Sequence, residues 1–314
     1  MIILFVLCGG CISIPTQAKE TVIIMNEYLS VEVSPLGAEL QSLKSKQSGI
    51  EYLWQGNPEY WKRRSPILFP FIGRLWKNGY NYNNERYEIE MHGFAKDCIF
   101  DVVKKEETEI WFRLSDSEIT LKKYPFKFEL LIGYILEGKE IEVVWNVKNK
   151  SDRIMPFQIG GHPGFKYPDF SDSDVHHAYL KFESGYDAMS YIMKAKNGFF
   201  LNNSEKKLLV LNNEGLLPVN QALFKDDALV FENYQARKVT ILDKNKVPFI
   251  SVSFDMPVFA LWSLSDKDAP FLCIEPWWGI GDKDQYAGNV EGKKWIQYLS
   301  PFKDFVTSYC IEFL

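Results

Sequence analysis

Histidine and cysteine, the residues that most often bind transition metals, are scarce in this chain of 314 residues, which has four histidines and five cysteines. Three of the cysteines follow residue 18, and none stands in a Cys-x-x-Cys or Cys/His ligand spacing: Cys98, Cys273 and Cys310. Three cysteines without such spacing argue against a disulfide framework and against a structural zinc site. We therefore expect free thiols that pack as small apolar side chains.

An excess of charge of one sign is also lacking. The chain has 36 Lys and Arg against 41 Asp and Glu, a formal net charge of −5, with no long block of like charge. Such a balance gives no electrostatic attraction for nucleic acid or an anionic membrane. The composition, 46% apolar and 25% charged, excludes a disordered chain, a collagen and a coiled coil. Aromatic residues are abundant at 15%, which is compatible with neutral ligands such as sugars.

The only long apolar run lies at the N-terminus. Residues 2–14 are apolar or small, and Thr16-x-Ala18 then matches the small-residue pattern of a cleavage site. The run is too short to span a bilayer, so residues 1–18 are predicted to be the signal peptide of an exported protein, periplasmic or secreted. No Lys or Arg precedes the run, which leaves open a cytoplasmic protein with a misassigned start codon. A lipid anchor attached to Cys11 is a further alternative.

Alternation of apolar and polar residues is the main secondary-structure signal. Residues 141–148 place four apolar side chains on one face, and a Gly-containing connection joins them to residues 128–136, which predicts a hairpin. Further short apolar or alternating runs predict strands at residues 21–25, 29–33, 86–91, 99–103, 109–114, 228–231, 239–242, 249–254, 259–264 and 271–274.

Helical periodicity is weak throughout. No stretch of a dozen residues after the leader keeps a 3.6-residue period, so helices are expected to be few and short. Many short strands without intervening helices predict an all-β fold, a large antiparallel β-sandwich. No linker or internal repeat interrupts the chain, and residues 19–314 are therefore predicted to form one domain.

The motifs of the common enzyme classes are missing. The chain has no Walker loop, no G-x-G-x-x-G, no G-x-S-x-G and no H-E-x-x-H. His176 and His177 lie in a polar stretch that is predicted to be a solvated loop, which leaves His92 and His162. The latter stands in Gly160-Gly161-His162-Pro163-Gly164, a backbone that turns sharply and leaves room beside the imidazole. Either a ligand or a tight loop around a hydrogen-bonded core histidine explains this pattern.

Two charged residues stand in apolar surroundings. Glu275 follows the apolar run 271–274 and precedes Pro276-Trp277-Trp278, so its carboxylate needs a partner, a ligand or a raised pKa. A raised pKa suits a general base, and an ion pair with an arginine is the structural alternative. Arg74 ends the apolar segment 65–73, which directs its guanidinium towards a pocket. A capping hydrogen bond or an internal carboxylate partner is the alternative for Arg74.

Taken in order, these segments resemble one known family. The resemblance is carried by residues 66–74, Gly79 to Tyr82, His92-Gly93-Phe94, residues 161–165, residues 223–229 and residues 273–277. Together they are similar to the signature of the aldose 1-epimerase (galactose mutarotase) family, over residues 21–312. Several motifs in one order are far more specific than any one of them.

The resemblance implies a galactose mutarotase-like β-supersandwich that interconverts the α and β anomers of a free hexose without a metal or organic cofactor. Glu275 would be the general base on the C1 hydroxyl, and His162 the general acid towards the ring oxygen. Arg74, His92 and Asp227 would hold the sugar hydroxyls. Asp227 is preferred to its neighbour Asp226 because it directly precedes the apolar run that starts at residue 228.

Further sequence features bear on the branch of the family and on the ligand that this chain is expected to bind. The segment Gly161-His162-Pro163-Gly164 differs from the Asn-His-x-Tyr/Phe pattern of mutarotases proper and resembles the LacX-like branch of the family. Trp277, Trp278 and Phe94 are candidates to cover the apolar face of a sugar. No cluster of Arg or Lys surrounds the motifs, which argues against a dedicated phosphate site. A non-catalytic carbohydrate-binding protein on the same fold is the alternative function, although a binder needs neither an acid nor a base.

Overall fold

The computed structural model describes residues 20–194, 197–202 and 205–314, and β-strands dominate them. Before residue 150 the strands are β1 (Val22–Met25), β2 (Leu29–Ser34), β3 (Glu39–Ser45), β4 (Ile67–Leu68), β5 (Gly79–Tyr82), β6 (Glu85–Glu88), β7 (Asp101–Lys105), β8 (Glu109–Ser115), β9 (Phe128–Glu137) and β10 (Glu140–Asn149). After it they are β11 (Met155–Phe157), β12 (Ile159–Gly161), β13 (Gly164–Lys166), β14 (Ala178–Glu183), β15 (Ser190–Ile192), β16 (Lys206–Leu208), β17 (Leu217–Val219), β18 (Leu229–Glu232), β19 (Lys238–Leu242), β20 (Pro248–Phe254), β21 (Val258–Trp262), β22 (Phe271–Trp278), β23 (Gln297–Leu299) and β24 (Asp304–Phe313).

Helical structure is short wherever it occurs in the described ranges. The α-helix α1 covers Glu118–Lys123, and 3-10 turns cover Trp76–Asn78, Ala95–Asp97, Gln221–Phe224 and Val290–Gly292. The expectation of few and short helices is confirmed.

Two large antiparallel sheets form the body of the fold. The first has nine strands in the order β17-β14-β19-β20-β24-β10-β9-β8-β7. The second has eight, in the order β16-β15-β18-β21-β22-β12-β4 with β13 also paired to β22. The sheets pack face to face: the rings of Phe254 in β20 and Phe259 in β21 have centroids 5.4 Å apart. The prediction of an all-β antiparallel sandwich is confirmed.

The β9–β10 hairpin shows why this sequence forms such a sheet. β10 pairs with β9 on one side and with β24 on the other. The side chains of Ile141, Val143, Trp145 and Val147, predicted to share a face, are all fully buried. Burying one large apolar side chain stabilises the fold by about 1.5–3 kcal/mol. The alternating pattern therefore fixes which face of β10 meets the core.

Several strands have no counterpart in the prediction, among them β3, β12 and β14. β22 and β24 are two instructive differences. β22 continues to Trp278, beyond the predicted end at residue 274, so Glu275 lies inside the strand rather than after it. β24 has no predicted counterpart, although it hydrogen-bonds to both β10 and β20. Its Thr, Ser and Cys residues blur the alternation, and pairing with two distant strands rather than local propensity defines it.

The prediction that His177 lies in a solvated loop is wrong. His177 is 2% exposed, and its Nε2 lies 2.9 Å from both carboxylate oxygens of Asp268, so it is not part of a solvated loop. The three predicted free cysteines are confirmed. The proposed signal peptide and Cys11 lie outside the described residues. In the ranges that the structure describes, no helix is long and apolar enough to cross a membrane.

Candidate active site

His162 and Glu275 face each other because of strand register. β12 and β13 both pair with β22, and the register aligns Gly160 with Trp277 and Gly164 with Cys273. His162 lies in the gap between β12 and β13, directly across from Glu275. The His162 Nε2 and Glu275 Oε2 atoms are 3.2 Å apart. The glycine-rich segment therefore brings an imidazole against a carboxyl inside a sheet.

Both groups are buried, and their hydrogen bonding is incomplete. Glu275 is 1% exposed and His162 8%. Within the described ranges, Glu275 Oε2 and His162 Nδ1 have no hydrogen-bond partner. The arginine ion pair that would make Glu275 structural is not found there either. Because buried polar atoms in folded proteins nearly always have a partner, unpartnered ones mark a site that a ligand group or water completes.

Burial shifts the two pKa values in opposite directions. Loss of water raises the pKa of Glu275 well above its ordinary value, although Lys194 opposes the rise, and Asp227 adds to it. Loss of water lowers the pKa of His162 to about 3. Burial therefore favours a protonated carboxyl and a neutral imidazole, so that the pair shares one titratable proton.

Tryptophan side chains enclose the imidazole. The Trp61 ring lies over His162 with centroids 4.8 Å apart and an interplanar angle of 32°. The Trp262 ring meets it edge-on at 5.3 Å. These rings keep water from the imidazole, which is the physical cause of its lowered pKa.

The aromatic candidates from the sequence are only partly correct. Trp277 lines the same cavity as His162. Trp278 does not, because its indole N–H donates to Thr307 Oγ1 at 3.1 Å on the other side of the strand. Phe94 packs in the core, where its ring centroid is 5.9 Å from that of Phe128. Side chains alternate between faces along a strand, so neighbouring tryptophans separate.

His92 is bound to the backbone of Gly73 through two hydrogen bonds. The His92 amide donates to the Gly73 carbonyl at 3.0 Å, and the Gly73 amide donates to His92 Nδ1 at 3.1 Å. Since Nδ1 accepts, a neutral ring carries its proton on Nε2, which is then a donor for a ligand. Burial lowers the pKa of His92 well below its usual value, and the charge of Lys96 adds to this effect, so the ring stays neutral.

Gly93→Ala is expected to destabilise the fold next to His92 by more than the strain of the Gly93 backbone conformation alone. Gly93 has φ +70°, and a Cβ there would overlap the Phe69 carbonyl. We expect a loss of about 2–4 kcal/mol in the free energy of unfolding, from the left-handed conformation and the overlap together. Gly215→Ala is the control, with φ +73° and nothing within 4 Å. Urea unfolding measures both, and equal losses would contradict the close approach at Gly93.

Arg74 lies at the outer part of the site, in a loop fixed by contacts with the segment after β22. A Cβ on Gly73 would lie 2.9 Å from Gly281 Cα, and the Asp282 amide donates to the Arg74 carbonyl at 3.0 Å. The Arg74 guanidinium is exposed, and it makes no ion pair or side-chain hydrogen bond with any residue that the structure describes. The alternatives of a capping bond and an internal carboxylate partner are therefore not observed.

Asp227 also adopts a left-handed backbone conformation, with φ +79°. One carboxylate oxygen accepts a hydrogen bond from the Ala228 amide at 2.7 Å, and the other lies 2.7 Å from Lys194 Nζ. The neighbouring Asp226 is exposed and does not line the inner cavity. Non-glycine residues with positive φ carry strain, and such strain is often found at functional sites.

All five residues named from the sequence line one cavity of about 410 Å³: Arg74, His92, His162, Asp227 and Glu275. The volume lies within the range of about 300–1,000 Å³ that is typical of small-molecule sites. The cavity combines apolar tryptophan walls with a few convergent polar groups, which is the composition of a small-molecule binding site.

The model of the aldose 1-epimerase family matches residues 20–277. The chain belongs to the aldose 1-epimerase family. The chromosomal protein LacX of Lactococcus lactis subsp. lactis is 32% identical over 301 residues, which cover 94% of this chain and 99% of LacX. The LacX-like character expected from the sequence is thus confirmed.

Solved structures agree with this aldose 1-epimerase family assignment. A galactose mutarotase related enzyme from Lactobacillus acidophilus is 35% identical with a TM-score of 0.87, covering 94% of this chain and 97% of that one. A galactose mutarotase-like protein from Lactobacillus casei is 28% identical with a TM-score of 0.88, covering 94% and 100%. Membership in the family supports a sugar epimerase in general terms.

Several residues in this epimerase-family site escaped the sequence analysis. Besides Arg74, which was expected, three basic side chains line the cavity, Arg63, Lys96 and Lys194, although no basic cluster was expected. They come from separate segments, so no local run of charge reveals them. Trp262 pairs with Cys273 across β21 and β22, and correct pairing of these strands would have placed it beside Glu275. No sequence signal identifies Trp61.

One group in the described ranges has the composition of a metal site. The ligand atoms of His162, Cys273 and Glu275 all lie within 4.8 Å of one another. Burial raises the pKa of both the Cys273 thiol and the Glu275 carboxyl, so both favour their protonated forms at neutral pH. Metal ligation requires the deprotonated forms, and these three residues are therefore poorly suited to hold a cation.

Proposed function

We propose that this protein interconverts the α and β anomers of a free hexose by acid–base catalysed ring opening and closure. The observation that carries the proposal is the opposition of His162 and Glu275 at 3.2 Å in the cavity wall, with one unpartnered polar atom on each. Anomer exchange needs one group that accepts a proton and one that donates a proton, and the pair supplies both.

The reaction follows from these two groups. Glu275 takes the proton from the C1 hydroxyl, C1–O1 becomes a carbonyl, and the C1–O5 bond breaks as O5 takes a proton from His162. The free aldehyde then rotates about the C1–C2 bond and presents its other face. In closure, O5 attacks C1 and returns its proton to His162, while O1 takes the proton from Glu275. Each positioned proton-transfer group contributes about 10²–10⁴-fold to the rate.

The proton count of the pair supports these roles. Ring opening consumes one proton from the acid while the base gains one, so the pair must hold one proton at the start. Burial favours that proton on Glu275. The His162 Nε2 and Glu275 Oε2 atoms are 3.2 Å apart without a hydrogen bond between them, and a small rotation of either side chain would complete the bond along which the proton passes to His162. Hydrogen bonds from sugar hydroxyls to the carboxylate favour its charged form and therefore this transfer.

The remaining residues are proposed to orient the sugar. His92 Nε2–H donates to a hydroxyl or ring oxygen, Asp227 accepts from hydroxyls, and Arg74 donates at the outer end. Trp61 and Trp262 offer faces for the apolar C–H surface of a sugar ring.

Polarimetry of freshly dissolved sugars tests the proposal. The α anomers of glucose, galactose and other aldoses should reach equilibrium faster with protein than in buffer alone, in proportion to protein concentration. Absence of acceleration across the panel, with protein that is folded by circular dichroism, would falsify the proposal.

The second candidate is a carbohydrate-binding protein without catalysis. The observation that favours it is the preference of both buried groups for their neutral forms in this structure. It predicts sugar binding by calorimetry without accelerated anomer exchange, and unchanged affinity in Glu275→Gln.

Export is a separate proposal that rests on the sequence of residues 1–18. An exported enzyme of this kind would act where polysaccharide breakdown releases single anomers. Cell fractionation with an antibody tests it, and recovery of the protein only from the cytoplasm would contradict it.

A further inference from the structure

A second space adjoins the inner cavity, and we call it the vestibule. It is lined by Arg74, Lys194, Lys225, Asp226, Asp227 and Ser265, among others, and Arg74, Lys194 and Asp227 also line the inner cavity. The two spaces therefore share a wall and lie side by side. No aromatic side chain of the described residues lines the vestibule, whereas three tryptophans line the inner cavity.

The vestibule is separated from the proposed chemistry. Neither His162 nor Glu275 lines it. If C1 of a sugar lies at these two residues, the vestibule receives the part of the substrate that is remote from C1. Its walls lack the aromatic faces on which a second sugar ring would stack, and they are rich in charged groups instead.

Most basic side chains near the site are already paired. Arg63 contacts both Glu39 and Asp97, and Lys96 contacts Asp97. Lys194 contacts Asp227. These pairs supply little net charge for a ligand, because each cation is largely compensated by its carboxylate.

Two basic side chains of the vestibule lack a carboxylate partner of this kind. Arg74 and Lys225 are exposed, and neither forms an ion pair within the described part of the chain. Asp226 is also unpaired there. Among the residues that the structure describes, three basic and two acidic side chains line the vestibule, an excess of one positive charge. The planar guanidinium of Arg74 has the geometry to bind two oxygens of one anion.

We propose that the vestibule binds an anionic substituent of the sugar, a phosphoester or a carboxylate remote from C1, through Arg74 and Lys225. This inference rests on the proposed function, because it places C1 at His162 and Glu275.

The test compares neutral sugars with their anionic relatives. Anomer exchange is measured by NMR for glucose and galactose, their 6-phosphates, and glucuronate and galacturonate, after subtraction of the rate without protein. We expect kcat/KM about 5- to 10-fold higher for the preferred anionic series than for the neutral sugars, the effect of charge-assisted hydrogen bonds at exposed positions. The preferred series, phosphate or uronate, identifies the anion. Added NaCl should reduce this preference.

Lys225→Gln tests the site without touching the inner cavity. It should lower kcat/KM for the preferred anionic sugar by about threefold and leave neutral sugars unchanged. Lys105→Gln, on the exposed edge strand β7, is the matched control and should change neither. Equal or better turnover of neutral sugars, with no effect of Lys225→Gln, would overturn the vestibule site and leave the proposed function standing.

If no anomer exchange is detected, calorimetry distinguishes failure of the vestibule site from failure of the proposed catalytic function. Binding of a 6-phosphate or uronate that Lys225→Gln weakens, without exchange of any sugar, supports the vestibule site and contradicts the catalytic function. Absence of both exchange and binding overturns both.

Discussion

Glu275→Gln should reduce kcat for anomer exchange by about 10²–10⁴-fold, the usual contribution of a positioned proton-transfer group. The amide keeps the size of the carboxyl but neither accepts nor releases the C1 hydroxyl proton. The same substitution is expected to raise the stability of the fold at neutral pH. Burial raises the pKa of Glu275, so this carboxyl opposes folding once the unfolded chain ionises it.

The pH dependence gives the sign of this stability effect. The pKa of Glu275 is higher in the folded state than its ordinary value of 4.5. Its contribution to stability is therefore most favourable below pH 4.5 and declines as pH rises towards the folded-state pKa. Thermal unfolding of wild type and Glu275→Gln should differ little in acid and diverge at neutral pH, with the variant more stable.

Glu232→Gln is a matched control for a buried carboxyl with a structural role. Glu232 is 2% exposed, contacts Lys206 and Lys294, and accepts a hydrogen bond from the Trp295 indole at 3.1 Å. These partners lower its pKa, so it stabilises the fold above its ordinary pKa and loses this effect as pH falls. Glu232→Gln should destabilise the protein at neutral pH and leave kcat unchanged. Losses of both stability and activity in Glu275→Gln would mean that Glu275 is structural too.

His162→Ala should lower kcat by a similar factor of about 10²–10⁴, because it removes the group that is proposed to protonate O5. The substitution leaves a space between Trp61 and Trp262 where the ring stood. Added imidazole should therefore restore part of the activity in a saturable manner. NMR exchange rates at increasing imidazole concentration measure this.

His177→Ala is the corresponding control. His177 is equally buried, but it pairs with Asp268 and does not line the cavity. Its removal should lower stability without changing kcat, and imidazole should have no effect on the rate. If His162→Ala retained wild-type kcat, the acid role of His162 would be wrong, whatever the change in stability.

The dependence of kcat/KM on pH below neutrality also tests the proposed state of His162. The pKa of His162 is lowered to about 3, so the pair gains a second proton only in strong acid. For wild type, kcat/KM should stay nearly constant from about pH 5 to pH 7 instead of falling near the ordinary histidine pKa.

The sequence identified the two residues that face each other in the cavity, His162 and Glu275, better than it identified their surroundings. His162 and Glu275 both stand in unusual local sequence. Glycines surround His162, and two tryptophans follow shortly after Glu275. The opposition of His162 and Glu275 depends on the register of β12 and β13 with β22, which local sequence does not encode. The ordered motifs supplied that information through the family resemblance.

The charged and aromatic surroundings could not be predicted for a related reason. Arg63, Lys96 and Lys194 reach the cavity from loops that are distant in sequence, and each lies in an ordinary polar segment. Trp61 likewise follows a turn with no functional motif. In the fold, the alternation in residues 141–148 was sufficient for β10, whereas β24 depends on pairing with two strands far away in the chain.

Saturation-transfer NMR between the α and β C1–H resonances of one equilibrated sugar tests the central claim most directly, because it observes anomer exchange without any coupled reaction. The account predicts protein-dependent transfer that disappears in both Glu275→Gln and His162→Ala and persists in Glu232→Gln and His177→Ala. Transfer that is no faster than in buffer, from folded wild-type protein that binds the same sugar, would contradict it.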